Sequence, residues 1–246
     1  MKQNVRFEDL GNMDYQAAWD YQESLLQVNV QRKSQRFNLV PGDAGEPIAP
    51  QRDNSEVDTN HSFLLVEHPP VYTLGKSGNP ENILITDEMR TLKGIEFFRT
   101  NRGGDITFHG PGQIVGYPIL DLEKYYTDIG KYLRNLEEVI IRTLAEYGIK
   151  GDRSPGETGV WLDPEVKGKE RKVCAIGVRS SRWITMHGFA LNVNTDLSYF
   201  NYIIPCGITN KQVTSIAKEL GQNVDYEEAK EKIKKNFEFV FDSVLY

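Results

Sequence analysis

From Asp14 to about Lys33 the apolar residues Ala18, Tyr21, Leu25 and Val28 recur at the spacing of one helix face, and Asp14 stands where it can cap the first turn. The period is then lost across "SQRFNLVPGDAGEPIAPQRDNSEVDTN", a polar stretch too long for an ordinary connection. It reads as an irregular surface loop at about 34–60. Beyond it "SFLLVEHPPVYTLG" predicts a short buried strand, a Pro-Pro turn and a second strand ending at Gly75. Strand pattern continues through "IEFFRT", "DITFH" and "QIVGYPIL". A second helix is predicted from Asp128 to Tyr147, with Ile129, Leu133, Leu136, Ile140, Leu144 and Tyr147 on one face and Gly148 as its stop. "TGVWL", "KVCAIGVRSS" and "RWITMHGFALNVN" return to strand pattern. Asp225 and Glu228 then form a capping arrangement for a last helix carrying Ala229, Ile233, Phe237, Phe241 and Val244. Helix, strands, helix, strands, helix is the order of an α/β (α+β) domain with a mixed β-sheet flanked by helices, here one domain over residues 1–246.

Composition narrows the function classes. With 39% apolar and 26% charged residues the chain can bury a real core. Its longest apolar runs, "FLLV" and "YIIP", fall far short of the roughly 20 residues that span a bilayer, and "MKQNVRFEDLGNMD" lacks an apolar signal segment. The expectation is a cytoplasmic protein with no membrane partner. A net charge of −6 argues against nucleic acid, whose binding is dominated by phosphate neutralisation. Two cysteines are no disulfide framework, and without a CxxC pair or HExxH no metal site is expected.

Candidate chemistry gathers in three places. "RTNRGGDITFHGPGQIVGYPILDL" puts five glycines, an arginine and a histidine into strand pattern, which marks either backbone turns or the close approach of a ligand. Cys206, between Pro205 and Gly207, suits a thiol presented to a substrate, with a packed core cysteine as the alternative. Cys174, mid-strand between Val173 and Ala175, reads as structural. A nucleophilic thiol needs a base or a nearby positive charge. Lys172 is a candidate, because it opens a buried strand where partial desolvation suits it to accept a proton, although Lys167, Lys169 and Arg171 lie close by. His109 and His187 each precede glycine and could orient a thiol or bond a carbonyl oxygen. The glycine pattern is neither GxGxxG nor a P-loop, so it specifies no nucleotide.

"RGGDITFHGPGQIVGYPILDL", "KVCAIGVRSSRWITMHGFALNVNTDL" and "PCGI", with "EHPPVYTLGKSG" and "TGVW", closely resemble the lipoyl(octanoyl) transferases from about Ser62 to Ser215. The resemblance implies the biotin/lipoate protein ligase-like fold, also described as class II aminoacyl-tRNA synthetase/biotin synthetase-like. It implies transfer of an octanoyl group from octanoyl-acyl carrier protein to a lysine of apo-lipoyl domains, those of 2-oxoacid dehydrogenase complexes and of the glycine cleavage H protein. Cys206 is implied as the acylated residue and Lys172 as the lysine that favours its thiolate. Arg102, Gly103, Gly104, Asp105, Ile106, Thr107, Phe108 and His109, then Ala175, Ile176 and Gly177, and Gly188, Phe189 and Ala190 are implied to line the acyl pocket, where the glycines keep side chains away from the chain. His109 is expected to help hold the oxyanion. No cofactor is implied, since a thioester is already activated. Lys76, Arg179 and Arg182 are the candidate patch for an acidic carrier protein. Two features depart from the family: Cys174 stands where alanine is common, and the 34–60 loop is long. An ATP-dependent lipoate or biotin ligase, a lipoyl-domain-to-lipoyl-domain amidotransferase and a non-catalytic acyl-binding protein are the rival readings.

Overall fold

The computed structural model describes residues 2–35, 59–205 and 211–246. Most of the expected loop and Cys206 lie outside the described residues. In chain order the elements are β1 (Gln3–Asn12), α1 (Tyr15–Gln35), β2 (His61–Glu67), β3 (Val71–Leu74), α2 (Asp87–Leu92), β4 (Glu96–Arg99), β5 (Ile106–His109), β6 (Gln113–Ile119) and α3 (Ile129–Ala145). There follow β7 (Asp152–Ser154), β8 (Glu157–Leu162), β9 (Arg171–Ser181), β10 (Ile184–Asn192), β11 (Gln212–Val213), α4 (Ile216–Leu220), α5 (Tyr226–Val240) and β12 (Ser243–Leu245).

A large mixed sheet runs β12-β1-β2-β6-β10-β9-β8-β7, with β11 added in parallel on β9. A smaller sheet, β4-β3-β5, stands beside it. This is the mixed sheet flanked by helices that the period changes predict. Strand alternation assigns the two faces. Ile114, Phe189, Leu191 and Cys174 face α3 and α5 in the main core, together with Phe63, Leu136, Ile140, Ile233 and Phe237. Val115, Tyr117, Ile119, Met186 and Ala190 face the opposite way, in a cluster with Ala18 and Leu26 of α1. The small sheet has its own core around Tyr72, Leu74, Ile106 and Phe108.

Helix ends follow local chemistry. The Asp128 side chain accepts from the backbone N–H of Lys131 and starts α3, and Asp225 accepts from Glu228 to start α5. Gly148, at φ 73°, ends the run after α3. Two sequence expectations change, and one strand has no counterpart in the sequence pattern. In α1 the buried stripe is Tyr15, Ala18, Gln22, Leu26, Asn29 and Lys33, and Val28 is 45% exposed. Half of that stripe is polar, so apolar spacing cannot reveal it. It is tolerated because each polar member is bonded: the His187 backbone N–H donates to Gln22 Oε1 at 3.0 Å, and Asn29 exchanges bonds with the Asn60 backbone. Lys33 Nζ donates to Asp121 Oδ1 at 2.6 Å, so this buried charge is paired. At the other end of the chain, α5 stops at Val240 and Val244 belongs to β12. Finally, β1 is a strand that no alternation announces, because only Val5 of its ten residues is buried; parallel pairing with β2 and β12 holds it. Among the described residues no helix is long and apolar enough to cross a membrane.

Phe237 joins α5 to the sheet by stacking on Phe63 at 4.2 Å and on Phe241 at 4.6 Å between ring centroids. Phe237→Ala is expected to lower stability by about 3–5 kcal/mol through lost burial and a residual cavity. The urea midpoint measures it, and an unchanged midpoint would remove this stack from the forces holding α5.

Candidate active site

Where β6, β10 and β9 run side by side, their α1-facing side carries two rows of residues. Val115, Ala190 and Ala175 form one; Tyr117, Gly188 and Gly177 form the next. Four of these six are alanine or glycine, so the sheet surface is low there, and a cavity of ≈ 390 Å³ lies on it. Tyr15, Arg102, Gly104, Asp105, Thr107 and His109 border it, as do Gly156, Glu157, Thr158 and Lys172.

Lys172 reaches this cavity because of an irregularity in β9. Cys174 pairs with Val160, but the next pair is Lys172 with Trp161, so Val173 is an extra residue, a β-bulge. Val173 and Cys174 both lie in the main core although they are consecutive, and Lys172 is thereby turned to the cavity face with Ala175 and Gly177. Gly159 lets β8 cross the bulge: it has φ 121°, and a Cβ there would lie 2.6 Å from the Cys174 carbonyl oxygen. The Lys172 ammonium sits 4.6 Å from the Trp161 ring centroid, and that of Lys211 4.7 Å from the same ring. Lys211 also donates to Glu157 Oε2 at 2.5 Å, and Ser154 donates to the same oxygen at 2.6 Å. Burial works to raise the Glu157 pKa, but these two bonds and the charges of Lys211 and Lys172 outweigh it and hold the group below the usual carboxylate value. Cys174 is fully buried and burial pushes its thiol pKa far up, which fits the structural reading.

The arginine-glycine turn is a close backbone crossing. Gly103 N–H donates to Val178 O at 2.9 Å, tying the turn to β9, and Lys76 N–H donates to Arg102 O at 2.9 Å, tying it to the end of β3. A Cβ on Gly177 would meet Gly103 O at 2.8 Å, and one on Gly75 would meet Gly104 O at 2.3 Å. These glycines therefore serve the chain crossing first. The room they leave in the cavity is a consequence of it.

His109 belongs to a buried polar chain. Gln113 Nε2 donates to Phe108 O and to Asn192 Oδ1, so Gln113 Oε1 accepts from His109 Nδ1 at 2.8 Å. The neutral ring then accepts at Nε2 from Thr73 Oγ1, 3.3 Å away, and Thr73 in turn accepts from Arg102 Nη2 at 2.8 Å. Burial, with the charges of His68 and Arg102, holds the His109 pKa well below the ordinary value. With both nitrogens committed, His109 has no N–H for an oxyanion, which removes the role expected for it. It orients Arg102 and Gln113 instead.

Of the sequence-predicted residues, Arg102, Gly104, Asp105, Ile106, Thr107, His109, Lys172, Ala175, Ile176, Gly177, Gly188, Phe189 and Ala190 border the one cavity. Gly103 and Phe108 do not: Gly103 faces β9, and alternation turns Phe108 into the small-sheet core, where it stacks on Tyr199 at 4.6 Å. Cys206 lies outside the described residues, between Pro205 and Lys211, which border a common depression. Lys76, Arg179 and Arg182 make no open cluster, since Arg179 is paired with Glu23 at 2.7 Å and Arg182 donates to Ser34. Sequence reasoning missed Tyr15, Val115, Tyr117 and Glu157 on the cavity wall; only the alternation of β6 could have signalled two of them.

A family model described as the lipoyl protein ligase A/B catalytic domain matches residues 14–238. The chain is 54% identical to the octanoyltransferase of Christiangramia forsetii, covering 100% of this chain and 99% of that protein. It is 55% identical to the octanoyltransferase of Flavobacterium psychrophilum, covering 100% of each. Among solved structures it is similar to the bi-partite lipoate protein ligase of Thermoplasma acidophilum, with a TM-score of 0.65 at 15% identity over 99% of this chain and 86% of that one. Lipoate-protein ligase A bound with ATP gives 0.65 at 14% identity over 100% and 90%. At such identities the likeness carries the fold alone, the mixed α/β fold of lipoate protein ligases.

The buried histidines make stability depend on pH in a definite sense. Burial lowers the His68 pKa to about 4 and that of His187 to about 3, and His109 is also lowered. All three are neutral in the fold, while the unfolded chain protonates near 6.5. Their stabilising contribution is thus fully present above about pH 6.5 and is lost as pH falls from there toward the folded values. Between pH 7.5 and 5 stability is expected to drop by on the order of 1–2 kcal/mol for each of His68 and His187, with His109 acting in the same direction. Urea midpoints at the two pH values test this, and equal midpoints would mean the rings are not held neutral.

Proposed function

The chain belongs to the octanoyltransferases of the lipoyl protein ligase A/B catalytic-domain family, and we propose that it takes the octanoyl group from an acyl carrier protein thioester and passes it to a lysine of an apo-lipoyl domain, through an acyl-cysteine at Cys206. The acceptors in this reading are the lipoyl domains of 2-oxoacid dehydrogenase complexes and the glycine cleavage H protein. The observation that carries it is Lys172, turned by the Val173 bulge to the border of a cavity floored with alanine and glycine.

In the first half-reaction the Lys172 amine takes the proton of the Cys206 thiol, and the thiolate attacks the thioester carbonyl. A carbon–sulfur bond to Cys206 forms, the bond to the carrier sulfur breaks, and the departing thiolate takes the proton back from Lys172. In the second, the neutral amine of the acceptor lysine attacks the acyl-cysteine. An amide bond forms, the Cys206 carbon–sulfur bond breaks, and the amine proton passes by way of Lys172 to the released thiolate. The first step exchanges one thioester for another and is nearly neutral in energy, the second runs downhill from thioester to amide, and neither consumes ATP. Each methylene lying on the Ala175, Ala190 and Val115 row contributes about 0.8 kcal/mol of burial, which holds the chain while the carbonyl reacts.

Intact-protein mass spectrometry after mixing with octanoyl-acyl carrier protein, without ATP, is the test. Wild type and Cys174→Ser are expected to gain one octanoyl group that an apo-lipoyl domain removes, and Cys206→Ser to gain none. Lys172→Met is expected to slow acylation by about 10²-fold or more, the usual worth of a positioned proton acceptor. Acylation that begins only when free octanoate and ATP are added would replace this scheme with a ligase mechanism.

A further inference from the structure

The Val173 bulge also decides what stands opposite Lys172. Continued from the Val160–Cys174 pair, regular register would set Val173 against Trp161; the extra residue sets Lys172 there instead. Residues directly opposite on antiparallel strands share a face. Trp161 accordingly turns away from Val160 and Leu162, which lie in the main core, and the Lys172 ammonium stands over its ring, 4.6 Å from the centroid. The indole is 2% exposed and does not border the cavity. Its Nε1–H is buried with no hydrogen-bond partner. A phenylalanine would carry no such orphan donor, so what the indole supplies at this position is its face, the strongest among aromatic side chains toward a cation.

The charged groups around Lys172 are committed to one another. Glu157 of β8 is bonded to Lys211, whose ammonium lies 4.7 Å from the same Trp161 centroid. Behind Gly159, the buried Glu137 of α3 accepts from the Gly159 N–H at 3.1 Å and is paired with Arg134 and Arg153. Arg171, next along β9, is bonded to Glu219 and Asp163. The ring differs from all of these: it is neutral, and it attracts an ammonium but not an amine.

We infer that Trp161 is a positioning residue for acyl transfer, its ring holding the Lys172 ammonium in place as the counter-charge of the Cys206 thiolate. This deepens the function proposed above and rests on its pairing of Lys172 with Cys206. In that proton transfer the sulfur–hydrogen bond of Cys206 breaks and a nitrogen–hydrogen bond to Lys172 forms, and the ring attracts only the ammonium that results. Without the ring, the ammonium either returns its proton or swings toward water. Both outcomes take the counter-charge from the thiolate.

The test follows alkylation of Cys206 by iodoacetamide against pH, in a Cys174→Ser background, with Trp161 intact and with Trp161→Phe or Trp161→Leu. The thiolate alkylates and the thiol does not. At pH 7, Trp161→Leu is expected to react about fivefold or more slower than the intact protein, and Trp161→Phe about twofold or more slower. At about pH 9.5, where a free thiol with a pKa of about 8.5 ionises unaided, all three are expected to agree within about twofold. Combined with Lys172→Met, the Trp161 substitutions are expected to change nothing, because the ring acts through that lysine. The dissociation constant for free octanoate is expected to stay within about twofold throughout, since the indole does not border the cavity. Trp161→Phe fills most of the same volume and carries the test if Trp161→Leu does not fold. Equal rates at pH 7, a defect as large at pH 9.5 as at pH 7, or one that persists with Lys172→Met would each overturn the inference. Alkylation uses no acyl donor, so absence of octanoyl transfer would end the functional proposal, while unaltered alkylation would end this one.

Discussion

Three neighbouring strands, β6, β10 and β9, have to be a core wall on one face and a cavity floor on the other, and alternation is what lets one backbone do both. Strict alternation would bury Lys172 in the main core, where an ammonium beside Cys174 and Val160 would have to be desolvated without compensation. One inserted residue avoids this. The Val173 bulge shifts the phase of β9 between Lys172 and Cys174, so the core keeps its apolar surface and the cavity gains its cation. The partner strand accommodates the shift through Gly159, whose left-handed backbone fits where a Cβ would strike the Cys174 carbonyl.

The second constraint is the approach of the small sheet to the large one. The Arg102 to Gly104 turn is bonded to β9 on one side and to the end of β3 on the other, and glycines at 75 and 177 bring the backbones together. Arg102, Thr73, His109, Gln113 and Asn192 then form a continuous hydrogen-bonded chain across the gap. Such a chain is costly to break once buried and rigid while every member is paired. It fixes the roof of the cavity relative to its floor.

Much of this was legible in the chain. The strands β2 to β6 and β8 to β10, both long helices and the last helix show as changes of period, because burial on one face imposes that period directly. The cavity residues around Arg102, Lys172 and Gly188 were legible through motif resemblance, though not through spacing alone. Phe108 and Gly103 were misassigned to the cavity because a contiguous motif does not say which of its residues alternate away. The α1 stripe was read one step off, because Gln22, Asn29 and Lys33 are buried by bonds to residues distant in sequence.

By itself the sequence determined the order and type of most elements, the mixed sheet flanked by helices and the residue types available for acyl transfer, since these follow from local periodicity and from motifs contiguous in the chain. Only the tertiary structure decided that Lys172 faces the cavity and Cys174 the core, and that both nitrogens of His109 are occupied. Each of those outcomes depends on register between strands and on partners tens of residues away, and a residue's own neighbours in the chain carry no record of either.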